Sequence, residues 1–267
     1  MTRASRWVGA ALLLVLGLPA PARAQIVQSV NFGAGWFWPA GYNSRTPGDV
    51  LVANLTQPIV APGATGSLDF DIGEFGAWTF FGEWNVAFNR HVEASGGLSF
   101  YQETVHSRYA DLVDSAHGFS DIQQDLTLRM IPITGLVRFF PAGKPGTVQP
   151  YVGGGIAAIN FQYTERGDFV DTSDVTLPIF CAGTPGCANP AFQATGMAFG
   201  PVFVGGVRLP IGGDLYGITL EGRYQWVKGD LPSAAECQAD LSKCFVFGAT
   251  KLDMSGFTFN MGLLIRF

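Results

Sequence analysis

Phe257-Thr-Phe-Asn-Met-Gly-Leu-Leu-Ile-Arg-Phe267 is the stretch from which the rest of the chain can be read. Phe257, Phe259, Met261, Leu263, Ile265 and Phe267 fall on one face of an extended segment. Thr258, Asn260, Gly262, Leu264 and Arg266 fall on the other, because side chains alternate with period two along a strand. The pattern predicts a strand with one apolar face and one mostly polar face.

The same alternation recurs upstream. Val30, Phe32, Ala34, Trp36 and Trp38 alternate with Asn31, Gly33, Gly35 and Phe37, and Pro39 closes that first strand. A long connection rich in turn residues follows to about Gly76. Phe80, Gly82, Trp84, Val86 and Phe88 form a second strand, and Asn89-Arg90-His91 is short enough to be a hairpin turn into a third, Val92 to Tyr101. A polar loop is expected from about His106 to Asp121. A fourth strand follows near Asp125 to Phe140, and its alternation breaks at Met130 to Pro132. A bulge or register change is expected there, because Pro cannot donate to a ladder. Strands five to eight are expected at Tyr151 to Thr164, Met197 to Leu209, Leu215 to Val227 and Phe257 to Phe267. Connection lengths alternate long and short throughout. The fold class expected is therefore all-β, an eight-stranded antiparallel up-and-down barrel.

Composition narrows the environment. The chain is 48% hydrophobic and only 14% charged, with 35 Gly, whereas about a quarter of a soluble domain is charged. No stretch beyond residue 24 is long and apolar enough for a spanning helix. Arg3, Arg6, the run Trp7 to Leu18 and Ala22-Arg23-Ala24 are expected to be a cleaved signal peptide, residues 1–24, before a barrel domain of residues 25–267. Removing its three Arg takes the formal charge from −5 to −8, which argues against a nucleic-acid partner, whose footprint is basic. The four Cys lie as two local pairs in expected outer connections, Cys181 with Cys187 and Cys237 with Cys244. With no His beside either pair, disulfides in an exported chain are expected rather than zinc, each contributing about 2 kcal/mol.

Alternation alone does not say which face is wet, since a soluble lipocalin-like barrel alternates equally well. Lys144, Lys228, Lys243 and Lys251 all sit at turns, loops or strand ends. The polar face mixes Gly, Ser, Asn and Thr with charges of both signs. Aromatics gather at strand ends (Trp36, Trp38, Phe88, Phe139, Tyr151, Tyr224, Trp226, Phe267), as interfacial girdles do. The apolar face is therefore expected to meet lipid. Glu83, Glu93, Glu221, Arg223 and Arg266 then project inward, joined by Arg138 and Arg208 on strands of less clear register. They are expected to form a pairing network that fills the barrel, because unpaired buried charge is costly.

With that arrangement the chain resembles the small eight-stranded OmpA/OmpX-type outer-membrane barrels. The resemblance covers the mature chain as architecture, and its local motif is the closing alternation ending in Phe267. It implies insertion among outer-membrane lipids, short periplasmic turns and long extracellular connections. It also implies that Phe257, Phe259 and Phe267 serve as a signal to the outer-membrane assembly machinery. A narrow OmpW-like carrier for small apolar molecules is the alternative, which needs an apolar cavity and a gap between strands near Pro132 or Pro201.

Sites of chemistry are sparse. Asp69-Phe-Asp71-Ile-Gly-Glu74 lacks EF-hand spacing and reads as a solvated loop. Gly153-Gly154-Gly155 is not followed by Lys-Ser/Thr and reads as close backbone packing or barrel curvature. His106, Ser107, Asp114, Ser115 and His117 supply the residue types of a rim hydrolase, but a triad is defined by geometry. No cofactor or metal is expected and the chain is expected not to be an enzyme. Its extracellular partner is not named by any motif.

Overall fold

A computed structural model describes residues 26–57, 59–61, 64–115, 118–144, 148–171, 176, 178–211, 215–232 and 249–267. The signal segment and Cys237 with Cys244 lie outside the described residues. Eight long strands are present among the described residues: β1 Val27–Pro39, β2 Ala77–Ala87, β3 Val92–Asp114, β4 Ser120–Phe139, β5 Gln149–Val170, β6 Phe192–Ile211, β7 Tyr216–Gln225 and β8 Gly256–Arg266. Each pairs antiparallel with the next, from β1–β2 to β7–β8. β1 pairs on its other edge with β8, from Ser29↔Arg266 to Pro39↔Gly256. The ring is therefore closed, and the barrel wall has no free edge strand.

The apolar row faces outward. Trp84 is 48% exposed and Met261 59%, whereas Glu83 and Arg223 are 5% and 6% exposed. Phe32, Phe80, Leu98, Ile133, Ile156 and Phe203 continue this belt around the wall. On β4 the belt runs from Phe139 to Ile131. Eight steps of ~3.3 Å on a strand tilted ~40° rise roughly 20 Å, close to the height of the apolar band of such barrels.

Four strands are much longer than the bilayer needs. β3 to β6 contain 23, 20, 22 and 20 residues. The loop expected from His106 to Asp121 is in fact the upper part of the β3–β4 hairpin, paired as far as Asp114↔Ser120. Polarity misled there, since a strand standing in water is polar on its outer face just as a loop is. Likewise β5 runs past Thr164 to Val170, where Gly167 to Val170 pair with a short strand Ile179–Ala182.

Register is also retained where a break is expected. β3 and β4 keep one register from Val92↔Phe139 through Arg108↔Gln123, and the shift falls higher, between Arg108 and Val113. The apparent break at Met130 to Pro132 has another cause. Below it the outward residues Ile133, Val137 and Phe139 are apolar; above it the inward residues Met130, Leu128 and Leu126 are. The strand leaves lipid at this level, so the apolar face changes sides without any slip in pairing. Pro132 faces inward, and two rungs, those of Pro132 and Ile131, are missing from the β3–β4 ladder with no change of register.

The inward apolar residues form a second core above the membrane. Tyr101, Met130, Leu128, Ile159 and Phe161 pack there with Val50 and Leu51 of a short helix α1, Val50–Leu55, contributed by the first connection. Asp49 caps that helix through Val52 N at 3.3 Å. Gly155 meets the expectation of close packing, because a Cβ there would collide with the carbonyl oxygen of Gly135 on β4. Met261→Arg, in the middle of the lipid face of β8, is expected to lower unfolding free energy by about 2–4 kcal/mol. Phe119→Arg at the hairpin tip should leave it nearly unchanged, and urea titration in phospholipid vesicles checks both.

Candidate functional site

Alternation on neighbouring strands converges the long polar side chains on the barrel axis. Arg138 of β4 is the hub, and its side chain is 1% exposed. Its Nη1 donates to Glu83 Oε1 at 2.5 Å, Asn85 Oδ1 at 3.0 Å and Ser95 Oγ at 3.0 Å. Its Nη2 donates to Glu83 Oε2 at 2.9 Å and Glu221 Oε2 at 2.6 Å, and Nε to Glu221 Oε2 at 3.1 Å. Arg223 closes the square, donating to Glu221 Oε1 at 2.8 Å and to Glu83 Oε2 at 3.2 Å. Two arginines thus face two carboxylates, and the planar guanidinium of Arg138 uses every N–H direction it has.

A second group lies toward the mouth at the β2–β3 turn. Arg208 donates to both oxygens of Glu93 at 3.0 and 2.9 Å, and Lys144 Nζ reaches Glu93 Oε2 at 2.6 Å. Arg138 stands 3.9 Å from Glu93 and links the groups. Arg266 lies at the edge of this set and donates to Gln149 Oε1 at 3.0 Å. Six of the seven charges singled out from the sequence therefore occupy one connected cluster, with Arg266 at its margin.

The sequence reading missed two members. Tyr151, expected in the lipid-facing girdle, is instead buried in the lumen and donates to Glu221 Oε2 at 3.0 Å. Its parity with Gln149 on β5 carries it inward, so its hydroxyl meets the network rather than the interface. Lys144, assigned to a turn, folds back over the Phe140 ring, 4.9 Å from its centroid, to reach Glu93. Tyr151 has the inward parity of Ala157 and Ile159, a signal available from spacing alone.

A separate latch that no motif announces ties the first connection to the entry of β8. Arg45, in the first connection, donates to Asp49 Oδ2 at 2.6 Å and to the Asp253 carbonyl at 2.5 Å. Asp49 Oδ1 accepts Asp253 N at 2.6 Å, and Asp253 Oδ2 accepts Thr46 N at 2.8 Å. Beside it, Asn54 of α1 and the Tyr163 hydroxyl donate to Glu165 Oε1 at 2.7 and 2.8 Å. Glu165 lies above the apolar belt, and burial raises its pKa while those two donors pull it back.

Other candidates are placed as follows. Cys181 and Cys187 form a disulfide in the connection between β5 and β6, with Cα atoms 5.7 Å apart. Asp69 pairs with Arg108 at 3.3 Å, and Asp71 accepts Gly73 N at 2.7 Å, so both carboxylates are engaged locally. His106 reaches Asp125 at 2.5 Å on the outward face of the hairpin. Ser107, next in sequence, is buried on the opposite face and donates to the Gln124 carbonyl at 3.0 Å. Alternation thus puts Ser107 and His106 on opposite faces of the strand; His117 lies outside the described residues. Phe257 and Phe259 face outward on β8, and Phe267 packs edge-on against Trp84 at 5.5 Å.

Removing Arg138 leaves two carboxylates buried without their main partner. Arg138→Ala is expected to destabilise the folded barrel by about 3–5 kcal/mol, read from urea unfolding. For Glu165 the sign follows from linkage: a carboxyl whose pKa is raised by folding adds stability below its unfolded pKa and loses it as pH rises through the folded value. Glu165→Gln should therefore be relatively more stable than the native chain at pH ~7 than at pH ~4, and unfolding midpoints at the two pH values test this.

No family model matches the chain, and no curated protein does. Among solved structures, OprG of Pseudomonas aeruginosa, an outer membrane protein, aligns at 10% identity over 90% of this chain and 95% of that chain, with a TM-score of 0.47. The attachment invasion locus protein Ail of Yersinia pestis aligns at 9% identity over 91% and 97%, with a TM-score of 0.37. Neisserial surface protein A aligns at 9% over 90% and 94%, with a TM-score of 0.36. These likenesses are distant, and the assignment rests on the barrel's own geometry: a closed ring of eight strands, apolar outside and charged within. The chain is a small eight-stranded antiparallel β-barrel with an apolar outer belt and a charged interior.

Proposed function

We propose that the protein is a non-enzymatic, non-conducting scaffold that presents a stiff extracellular sheet for interaction or envelope integrity. The observation carrying this reading is the length of β3 to β6, which continue well past the outer edge of the apolar belt. A barrel needed only to span the membrane would stop at the belt. The added sheet is braced by the Phe169, Phe180 and Phe192 rings, with centroids 4.5–6.3 Å apart, and by the Cys181–Cys187 disulfide. At its tip Phe119 is 74% exposed and holds a left-handed φ of 63°. Strained, exposed residues of this kind concentrate at functional positions. We propose also that the outward row of Phe257, Phe259 and Phe267 is what the assembly machinery meets.

The carrier reading draws on one feature, the two missing rungs at Pro132 and Ile131. The cavity behind it, lined by Pro132, Ser99, Tyr101 and Met130 among others, measures about 20 Å³. That is room for about one water, not for an apolar solute; the larger cavity, about 760 Å³, is an open one among Val113, Ile122, Val170 and Phe180 at the top of the extended strands.

In planar bilayers the purified protein should show no steady conductance; large stable channels would contradict the sealed-scaffold reading. Cells bearing a barrel trimmed between Val105 and Leu126 should adhere less to plates coated with fibronectin, laminin or mucin than cells bearing the full hairpin. Equal adherence at equal surface amounts counts against display.

A further inference from the structure

Outward polar residues begin on the barrel wall at a definite level. On β4, Phe139, Val137 and Ile133 meet lipid, and Arg129 is the first outward charge beyond Ile131. The ladders set Gln102 of β3 beside it on one edge and Gln162 of β5 on the other. Directly opposed residues have Cβ atoms about 4.5–5.5 Å apart, so the three side chains form one row across three strands. Asn160, exposed, lies one rung closer to the membrane, opposite Ile131.

The Arg129 guanidinium lies over the Phe100 ring, 5.7 Å from its centroid, at the upper edge of the belt. Neighbouring carboxylates are engaged elsewhere: Asp125 with His106 at 2.5 Å, and Asp121 with Arg108 at 3.1 Å. Among the described residues no carboxylate pairs with Arg129. A cation over an exposed aromatic recurs past the end of β7, where Lys228 Nζ stands 5.6 Å from the Trp226 ring centroid. The polar layer of a bilayer adds roughly 5–7 Å per side to the hydrocarbon core, and the row sits within that distance of Ile131.

We propose that Gln102, Arg129 and Gln162, with Asn160, bind the phosphorylated sugar head group of an outer-leaflet glycolipid. The guanidinium fork suits a phosphate, and the amides suit sugar hydroxyls, Gln162 keeping one long bond of 3.4 Å from its Nε2 to Thr164 Oγ1. The site is continuous with the lipid-facing wall below, where Leu98, Ile133 and Ile156 receive the acyl chains. A lipid is therefore the occupant the position selects. The proposal rests on the outer-membrane placement with β3 to β6 facing out, not on display by the hairpins, and stands or falls separately from the latter.

The test uses the folded full barrel in phosphatidylcholine nanodiscs, titrated with diphosphorylated lipid A, with its dephosphorylated form and with inorganic phosphate. Native mass spectrometry counts the lipid retained. The phosphorylated form should bind about tenfold more tightly than the dephosphorylated one. Arg129→Ala should abolish that preference and Arg129→Lys keep part of it, since lysine offers a point charge without the fork. Gln102→Ala and Gln162→Ala should weaken both lipids, and Arg90→Ala, in the periplasmic turn, neither. Heat-modifiable gel mobility establishes that each variant is folded. Equal binding by folded Arg129→Ala, or no preference for the phosphorylated lipid, overturns the proposal. So does displacement of the lipid by millimolar inorganic phosphate, which would make this an anion site without lipid specificity.

Discussion

The pairing of β1 with β8 is the constraint on which everything else hangs. In hydrocarbon an unmatched N–H or C=O has no water to bond, so an open sheet cannot stand there. Rungs from Ser29↔Arg266 to Pro39↔Gly256 remove the last two edges. Once the ring is closed, parity alone decides where each side chain goes: Phe32, Trp84 and Met261 into lipid, Asn31, Glu83 and Asn260 into the lumen. A slip of one residue would exchange these sets, placing Glu83 in lipid and Trp84 on the axis. Closure and register are therefore specified together.

A narrow lumen then brings charges into contact that are far apart in sequence. Arg138 bridges Glu83 and Glu221 from three different strands. Buried ion pairs are weak evidence of stability when compared with apolar filling. What they contribute here is specificity, because Arg138, Glu83 and Glu221 satisfy one another in one register of the ring. The same cluster occupies the space through which ions would pass. At the outer mouth Arg45, Asp49 and Asp253 tie the first connection to the entry of β8, and α1 packs its apolar residues on the core below.

Above the belt the same strands obey a different solvent. Their inner face becomes an ordinary dry core of Leu126, Leu128, Phe161 and Tyr163, and their outer face becomes polar with His106, Arg129 and Asp125. One continuous ladder thus serves two environments, and the change occurs within a few residues of Pro132. The long hairpins, the buried Glu165 and the braced phenylalanine stack all belong to this upper, water-exposed half.

Sequence alone determined the strand number, the outward direction of the apolar rows and the inward set of charges, because period-two alternation is a local property. It placed the short turn between β2 and β3 well, since the flanks of that turn keep alternating. It misjudged the tops of β3 to β6, because polarity marks both a loop and the wet face of a strand. It read a register break at Met130 to Pro132, because a change of solvent and a bulge alter the pattern alike. Only the tertiary structure decided that Tyr151 and Lys144 join the lumen cluster, that Arg138 is its hub, and that Arg45 and Asp253, 208 residues apart, are bonded to each other. These contacts run between strands, and no spacing along the chain encodes a distance across a barrel.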